Sequence, residues 1–223
     1  MKEYITTLEE LFKENSDTER ALQQKAYMRN QFEYYGLTSP KRKELQKPFL
    51  LKSYLPDKKE AFEIIRLLWA KPQREFQMFS LDLLDKYQKR YEKEDIAFLE
   101  DLICEKSWWD TVDFLAYKQV GAFMKKFPEL QEQYSQKWLK SDNMWLQRTA
   151  VLFQLKYKNA LDTDLLERNI TPLLGSKEFF INKAIGWVLR EYSRTNPQWV
   201  IEYVGQTDLS NLSRKEALRL LEK

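Results

Sequence analysis

Two tryptophans and two carboxylates stand within one short segment, Ser107-Trp108-Trp109-Asp110-Thr111-Val112-Asp113, in a chain that contains no histidine. Trp109 and Asp113 are four apart, so on a helix they share one face. A π-surface beside an anion suits a flat cationic partner. Two readings of the pair stand side by side. In one, Trp109 packs in the core and Asp113 pairs with Arg148 as a salt bridge between helices. In the other, Trp108 is the core member and Trp109 faces outward, because neighbouring side chains cannot point the same way.

A second constellation is Lys183, Trp187, Arg190 and Arg194, spaced by four, three and four. These residues line one helix face with three cations and an aromatic ring. Such a stripe is either simply solvated or laid out for a nucleic-acid strand. Gly186 inside that helix costs about 1 kcal/mol against Ala. It leaves room either for close approach beside Trp187 or for a packed helix. Arg148 can hold a phosphate through its planar fork, pair with Asp113, or do both. Lys41-Arg42-Lys43 opens a helix after Pro40, with Tyr27 in the helix before. A basic first turn opposes the helix dipole, so solvent, an acid or a polyanion must compensate it.

Other chemistries are missing. There is no Gly-rich phosphate loop, no His-based metal motif, and no Ser-His-Asp or Cys-His arrangement. The single cysteine, Cys104, excludes an intrachain disulfide and a thiolate zinc cluster. No dense acidic cluster offers a magnesium site. No metal or cofactor is therefore expected, and no lysine beside Asp113 stands out as a Schiff-base nucleophile.

The elements that must position these residues read as helices. Apolar residues recur at three and four, as in Ile5/Leu8/Leu11/Phe12 and Phe62/Ile65/Leu68/Trp69, and no alternating run suggests a sheet. Start points resembling helix N-termini fall at Ser39, Pro72, Ser107, Asp142 and Ser176, close to a constant interval. Helix pairs at this spacing predict an all-α, curved solenoid of HEAT-like repeats, read as one domain over residues 1–223. Six residues after the four later starts stand Met78, Asp113, Arg148 and Asn182. That row would make Asp113 and Arg148 neighbours on one wall.

Composition sets the outer bounds. With 37 Lys and Arg against 34 Asp and Glu, the net charge is +3, so polyanion binding must come from local placement of charge. No apolar stretch approaches the roughly 20 residues of a membrane span, and no secretory signal follows Met1. The cysteine usage fits a cytoplasmic protein.

The chain resembles the AlkD-type DNA alkylation-repair glycosylases, a HEAT-like family, along nearly its whole length. The carrying segments are Lys106 to Asp110 with Val112-Asp113, Ser141-Asp142-Asn143 with Trp145-Leu146-Gln147-Arg148, and Ser176 through Tyr192. Tyr27-Met28, Gly36 and Pro40 with Arg42 add to them. The resemblance implies a monofunctional hydrolase that excises N3- and N7-alkylated purines from duplex DNA, and the chain is expected to act as a monomer. It implies that Trp109, Asp113 and Trp187 surround the lesion, that Arg148 holds the backbone, and that Tyr27 faces DNA. Arg42, Lys183, Arg190 and Arg194 complete the expected DNA contacts. A purine alkylated at N3 or N7 is cationic and leaves as a neutral base, so no protonating acid is needed. A carboxylate then stabilises the oxocarbenium-like sugar, as in glycoside hydrolysis. Recognition is expected to work through sugar-phosphate and charge, without a tight base pocket. The alternatives are a non-catalytic nucleic-acid binder or a protein-interaction scaffold on the same repeats.

Overall fold

Helix starts recur with a constant period, and that period sets where the side chains of interest fall. The computed structural model describes residues 1–221, so the end of the expected 1–223 span lies outside them. The described residues form α1 (Lys2–Glu14), α2 (Thr18–Tyr27), α3 (Ser39–Gln46), α4 (Lys58–Trp69), α5 (Arg74–Leu84), α6 (Asp95–Cys104) and α7 (Trp109–Phe114). A π-helical stretch, Leu115–Val120, carries α7 without a break into α8 (Gly121–Lys126). Then follow α9 (Gln131–Leu139), α10 (Met144–Leu152), α11 (Thr163–Ile170), α12 (Phe179–Tyr192), α13 (Pro197–Gln206) and α14 (Asn211–Leu218). Among the described residues there is no strand, only an isolated bridge between Glu33 and Gln73. The all-α, helix-pair architecture expected from the sequence is the one found. No helix among the described residues is long and apolar enough to cross a membrane.

The first residues of α3, α5, α7, α10 and α12 are Ser39, Arg74, Trp109, Met144 and Phe179, each 35 residues after the last. The expected starts lay up to three residues too early, because the capping residues stand further along. Asn143, not Asp142, caps α10 by accepting from the N–H groups of Trp145 and Leu146. Ser176 precedes a loop whose last residue, Glu178, sits at the N-cap of α12. In the observed register the fifth residues of these helices are Lys43, Met78, Asp113, Arg148 and Lys183. Lys183 thus replaces Asn182 in the expected row.

The residue before this row has its own repeated task. The Gln77 side-chain amide donates to the carbonyls of Leu68, Trp69 and Lys71 at the end of α4. Gln147 donates to Ser141 O, and Asn182 to Ser176 O and Glu178 O. Each amide adds a side-chain donor to carbonyls at the end of the preceding helix or in the loop that follows it.

The chain divides into two compact units, Met1–Tyr91 and Glu92–Lys223. In the first, Leu8, Phe12, Ile64, Leu68, Phe76 and Phe79 form the core, with no measurable exposure. In the second, α7, α10, α12 and α14 pack successively side by side, and α6, α9, α11 and α13 supply the other member of each pair. Their core includes Val112, Leu115, Trp138, Val151, Ile181 and Val188. Gly186 is what lets α14 approach α12. A Cβ at that position would stand 2.5 Å from Glu216 Cβ and 2.9 Å from Ser213 O. Of the two roles open to Gly186, helix packing is the one the structure holds.

Candidate nucleic-acid interface and reaction site

Asp113 and Arg148 stand 35 residues apart in sequence and meet between α7 and α10. Arg148 donates from Nε to Asp113 Oδ1 at 2.7 Å and from Nη2 to Oδ2 at 2.9 Å. Its third nitrogen, Nη1, donates to the carbonyl of Phe180 at the start of α12. One guanidinium therefore ties three successive repeats. Arg148 is 5% exposed in its side chain and Asp113 is 15% exposed, so the cation lies behind the carboxylate. Each carboxylate oxygen accepts one bond from Arg148 and keeps further acceptor capacity. Burial pushes the Asp113 pKa above the ordinary carboxylate value. The Arg148 fork pulls it down less strongly, and Asp110 adds to the rise.

Trp109 is the first residue of α7 and stands one turn before Asp113, half-buried. Trp108 is half-buried too, so the pair does not divide into a core and a surface ring. Its backbone is extended at the N-cap of α7, which sends its ring elsewhere. That ring packs 5.4 Å from Phe180 and 5.9 Å from Trp145, while Trp145 and Phe180 lie 5.1 Å apart. These three rings surround the Arg148 end of the site. The indole Nε1 of Trp108 is buried there without a hydrogen-bond partner. Trp187, half-buried on α12, meets the ring of Tyr117 at 6.4 Å, edge to face.

Of the expected basic stripe, Lys183, Trp187 and Arg190 stand on α12, Arg194 lies past its end at Tyr192, and an acid on α14 tempers the cations. Glu216, 8% exposed, accepts from Lys183 at 2.7 Å and from Arg190 through its other oxygen. Arg194 remains largely exposed, 3.7 Å from Glu191. Sequence reasoning missed Glu216. Its nearest signal was Gly186, whose missing side chain is the space Glu216 uses.

In the first unit, Tyr27 ends α2 and is 74% exposed. Arg42 departs from its expected role as an open DNA contact. Its guanidinium is buried, donating to Gln46 at 2.6 Å and Asp82 at 2.8 Å. This acid answers the unfavourable basic first turn of α3. Arg148 is likewise enclosed, so the paired reading describes it and a free phosphate fork does not. Among the described residues no group of His, Cys, Asp and Glu is placed to hold a metal.

A model of the family described as DNA alkylation repair enzyme matches residues 8–221. A solved structure described as a "Predicted DNA alkylation repair enzyme from Enterococcus faecalis" is 33% identical, with a TM-score of 0.87, over 93% of this chain and 97% of that one. The structure of AlkD2 from Streptococcus mutans is 21% identical, with a TM-score of 0.62, over 81% of this chain and 90% of that one. That second likeness is one of fold. No curated protein matches the chain.

Proposed function

The chain belongs to the DNA alkylation repair enzyme family, and from that premise we propose that it hydrolyses the N-glycosidic bond of N3- and N7-alkylated purines in duplex DNA. The observation that carries this reading is the Asp113 carboxylate. It is largely buried but open on one side, fixed from behind by a two-point guanidinium, with Trp109 one helical turn away.

Breaking the bond to a cationic base needs no proton donor, because the base departs neutral. Positive charge moves onto the deoxyribose as the bond lengthens. A preorganised carboxylate stabilises that charge best where water is scarce and no reorganisation is required. Arg148 limits the motion of the carboxylate, so its oxygens are already placed. The remaining acceptor capacity of Asp113 is free to face the sugar or to orient the attacking water. The indoles of Trp109 and Trp187 contribute attraction to a cationic nucleotide, at about 0.5–2 kcal/mol each. Lys183, Arg190, Arg194 and Tyr27 contact the DNA. Arg42 and Arg148 act as positioning residues within the repeats. The protein works as a monomer and without a cofactor, and it forms no covalent enzyme–DNA adduct.

The test is to incubate methylated duplex DNA with the protein and measure released 7-methylguanine. Wild-type protein releases the base, and Asp113→Asn releases it at least about a hundredfold more slowly with DNA affinity largely kept. Equal rates in the two proteins would remove Asp113 from the chemistry. A second reading is favoured by one observation, the closeness of the Asp113–Arg148 pair. If that pair is only an inter-repeat link, the protein binds duplex DNA in a salt-dependent way and releases no base.

A further inference from the structure

Tyr117 lies four residues after Asp113 and eight after Trp109. In a regular α-helix eight residues accumulate about 80° of rotation, which would set Tyr117 on the face of Asp113 but at the edge of the face that Trp109 holds. The helix is not regular here. Residues Leu115–Val120 adopt π-helical bonding, whose wider turn takes back part of that rotation. Tyr117 accordingly meets Trp187 of α12, with ring centroids 6.4 Å apart and planes at 74°.

Among the described residues no cation of the protein sits over the ring of this tyrosine, whereas three other tyrosines do carry one. Tyr87, Tyr134 and Tyr157 each carry a cation of their own, from Arg90, Lys137 and Lys125. The cation next to Tyr117, Lys118, sits over Phe114 instead, 4.6 Å from its centroid. Tyr117 touches Phe114 and Trp187 and makes no hydrogen bond within the described residues. It is half-buried, so one side stays open. A half-buried aromatic ring with ring neighbours but no cation of its own, in the same continuous helical run as Asp113, suits a cation brought by a ligand.

We propose that Tyr117 is a further substrate-contacting residue of this site, an aromatic wall that meets the cationic nucleotide beside Asp113 and steadies the indole of Trp187. The proposal rests on the excision reading above. It adds a specificity element: the ring favours positive charge at the sugar over a neutral abasic nucleotide.

The probes are two duplexes, one carrying a cationic pyrrolidine in place of a single deoxyribose, the other a neutral tetrahydrofuran at the same position. Wild-type protein binds the cationic duplex more tightly. Tyr117→Phe keeps that preference within about twofold. Tyr117→Leu, which fills the space without a π-face, loses about two- to fivefold of it, with affinity for the neutral duplex unchanged. Full preference in Tyr117→Leu would overturn the proposal. An equal loss of affinity for both duplexes would overturn it too, by making Tyr117 a packing residue. Thermal melting of both variants verifies the fold, and Tyr117→Met replaces Leu if the latter does not fold. Release of 7-methylguanine by the wild type separates the two claims. Base release with an unaltered Tyr117→Leu preference defeats this inference alone, whereas no release and no preference in the wild type defeat the excision reading with it.

Discussion

Asp113 is held by burial above the usual carboxylate pKa and by Arg148 against further rise. The consequence is a pH profile. If the anion is the working form, excision rises with pH through a value above the ordinary carboxylate range. Asp113→Asn flattens that limb, and single-turnover rates from acidic to neutral pH measure it. Arg148 belongs to the same argument. Removing it leaves Asp113 buried and unpaired, so Arg148→Ala destabilises by about 3–5 kcal/mol, read by denaturant unfolding. Because the guanidinium is enclosed, the slope of log affinity against log salt stays unchanged in any folded fraction. A slope flattened by about one unit would instead make Arg148 a phosphate ligand. At this scale the sequence was informative. The spacing from 113 to 148 matches the helix period, so the pair was legible, but whether the fork was open or enclosed was not. Burial depends on what the third repeat brings, and the Phe180 carbonyl comes from there.

Helices in this protein are joined by side chains that reach the backbone of a neighbour. Glu75 on α5 is the strongest case in the first unit. Its Oε1 accepts from the N–H groups of Tyr35, Gly36 and Leu37, pinning a turn in which Gly36 has φ +88°. A side chain is excluded at Gly36, since a Cβ would lie 2.0 Å from Asp17 O. Glu75→Ala strands three amides in a buried site and costs about 2–4 kcal/mol, measured by equilibrium unfolding. Burial raises the Glu75 pKa in the folded state. Folding therefore takes up a proton between the ordinary carboxylate pKa and the raised one, and this carboxylate's contribution to stability falls as pH rises through that window. Glu75→Gln removes that part of the slope, which unfolding at several pH values will show. On α12, Gly186→Ala pushes α14 outward and costs about 1–3 kcal/mol, with Lys183 and Arg190 losing the placement that Glu216 gives them. The helices themselves were readable from apolar periodicity and caps. Of their expected starts, Ser39 was the first residue of α3, but the later ones were two or three residues early, since Asn143 and Glu178 stand closer to the true starts of α10 and α12. Nor did any residue type announce the π-helical stretch, which moves Tyr117 toward Trp187.

The whole chain carries a net charge of +3 from nearly balanced signs, and much of its positive charge is internally answered. Duplex binding should accordingly be driven by few cations and show a shallow salt dependence. Glu216→Gln, which releases Lys183 and Arg190 from a shared anion, is expected to tighten non-specific duplex binding and steepen the salt dependence by about one unit. Titrations at several salt concentrations check it, and an unchanged slope would mean that neither cation reaches DNA. The sequence by itself determined the all-α repeat architecture, since apolar spacing and breaks at a regular interval are properties of adjacent residues. It also determined the family, because long ordered motifs carry that information without coordinates. Tertiary structure alone decided which cations are free. Arg42, Lys183 and Arg190 meet their acids across gaps of 26 to 40 residues, and no local pattern encodes those partners on another helix. Charge type is written in the chain, whereas whether a charge faces solvent or a neighbour depends on how helices stack.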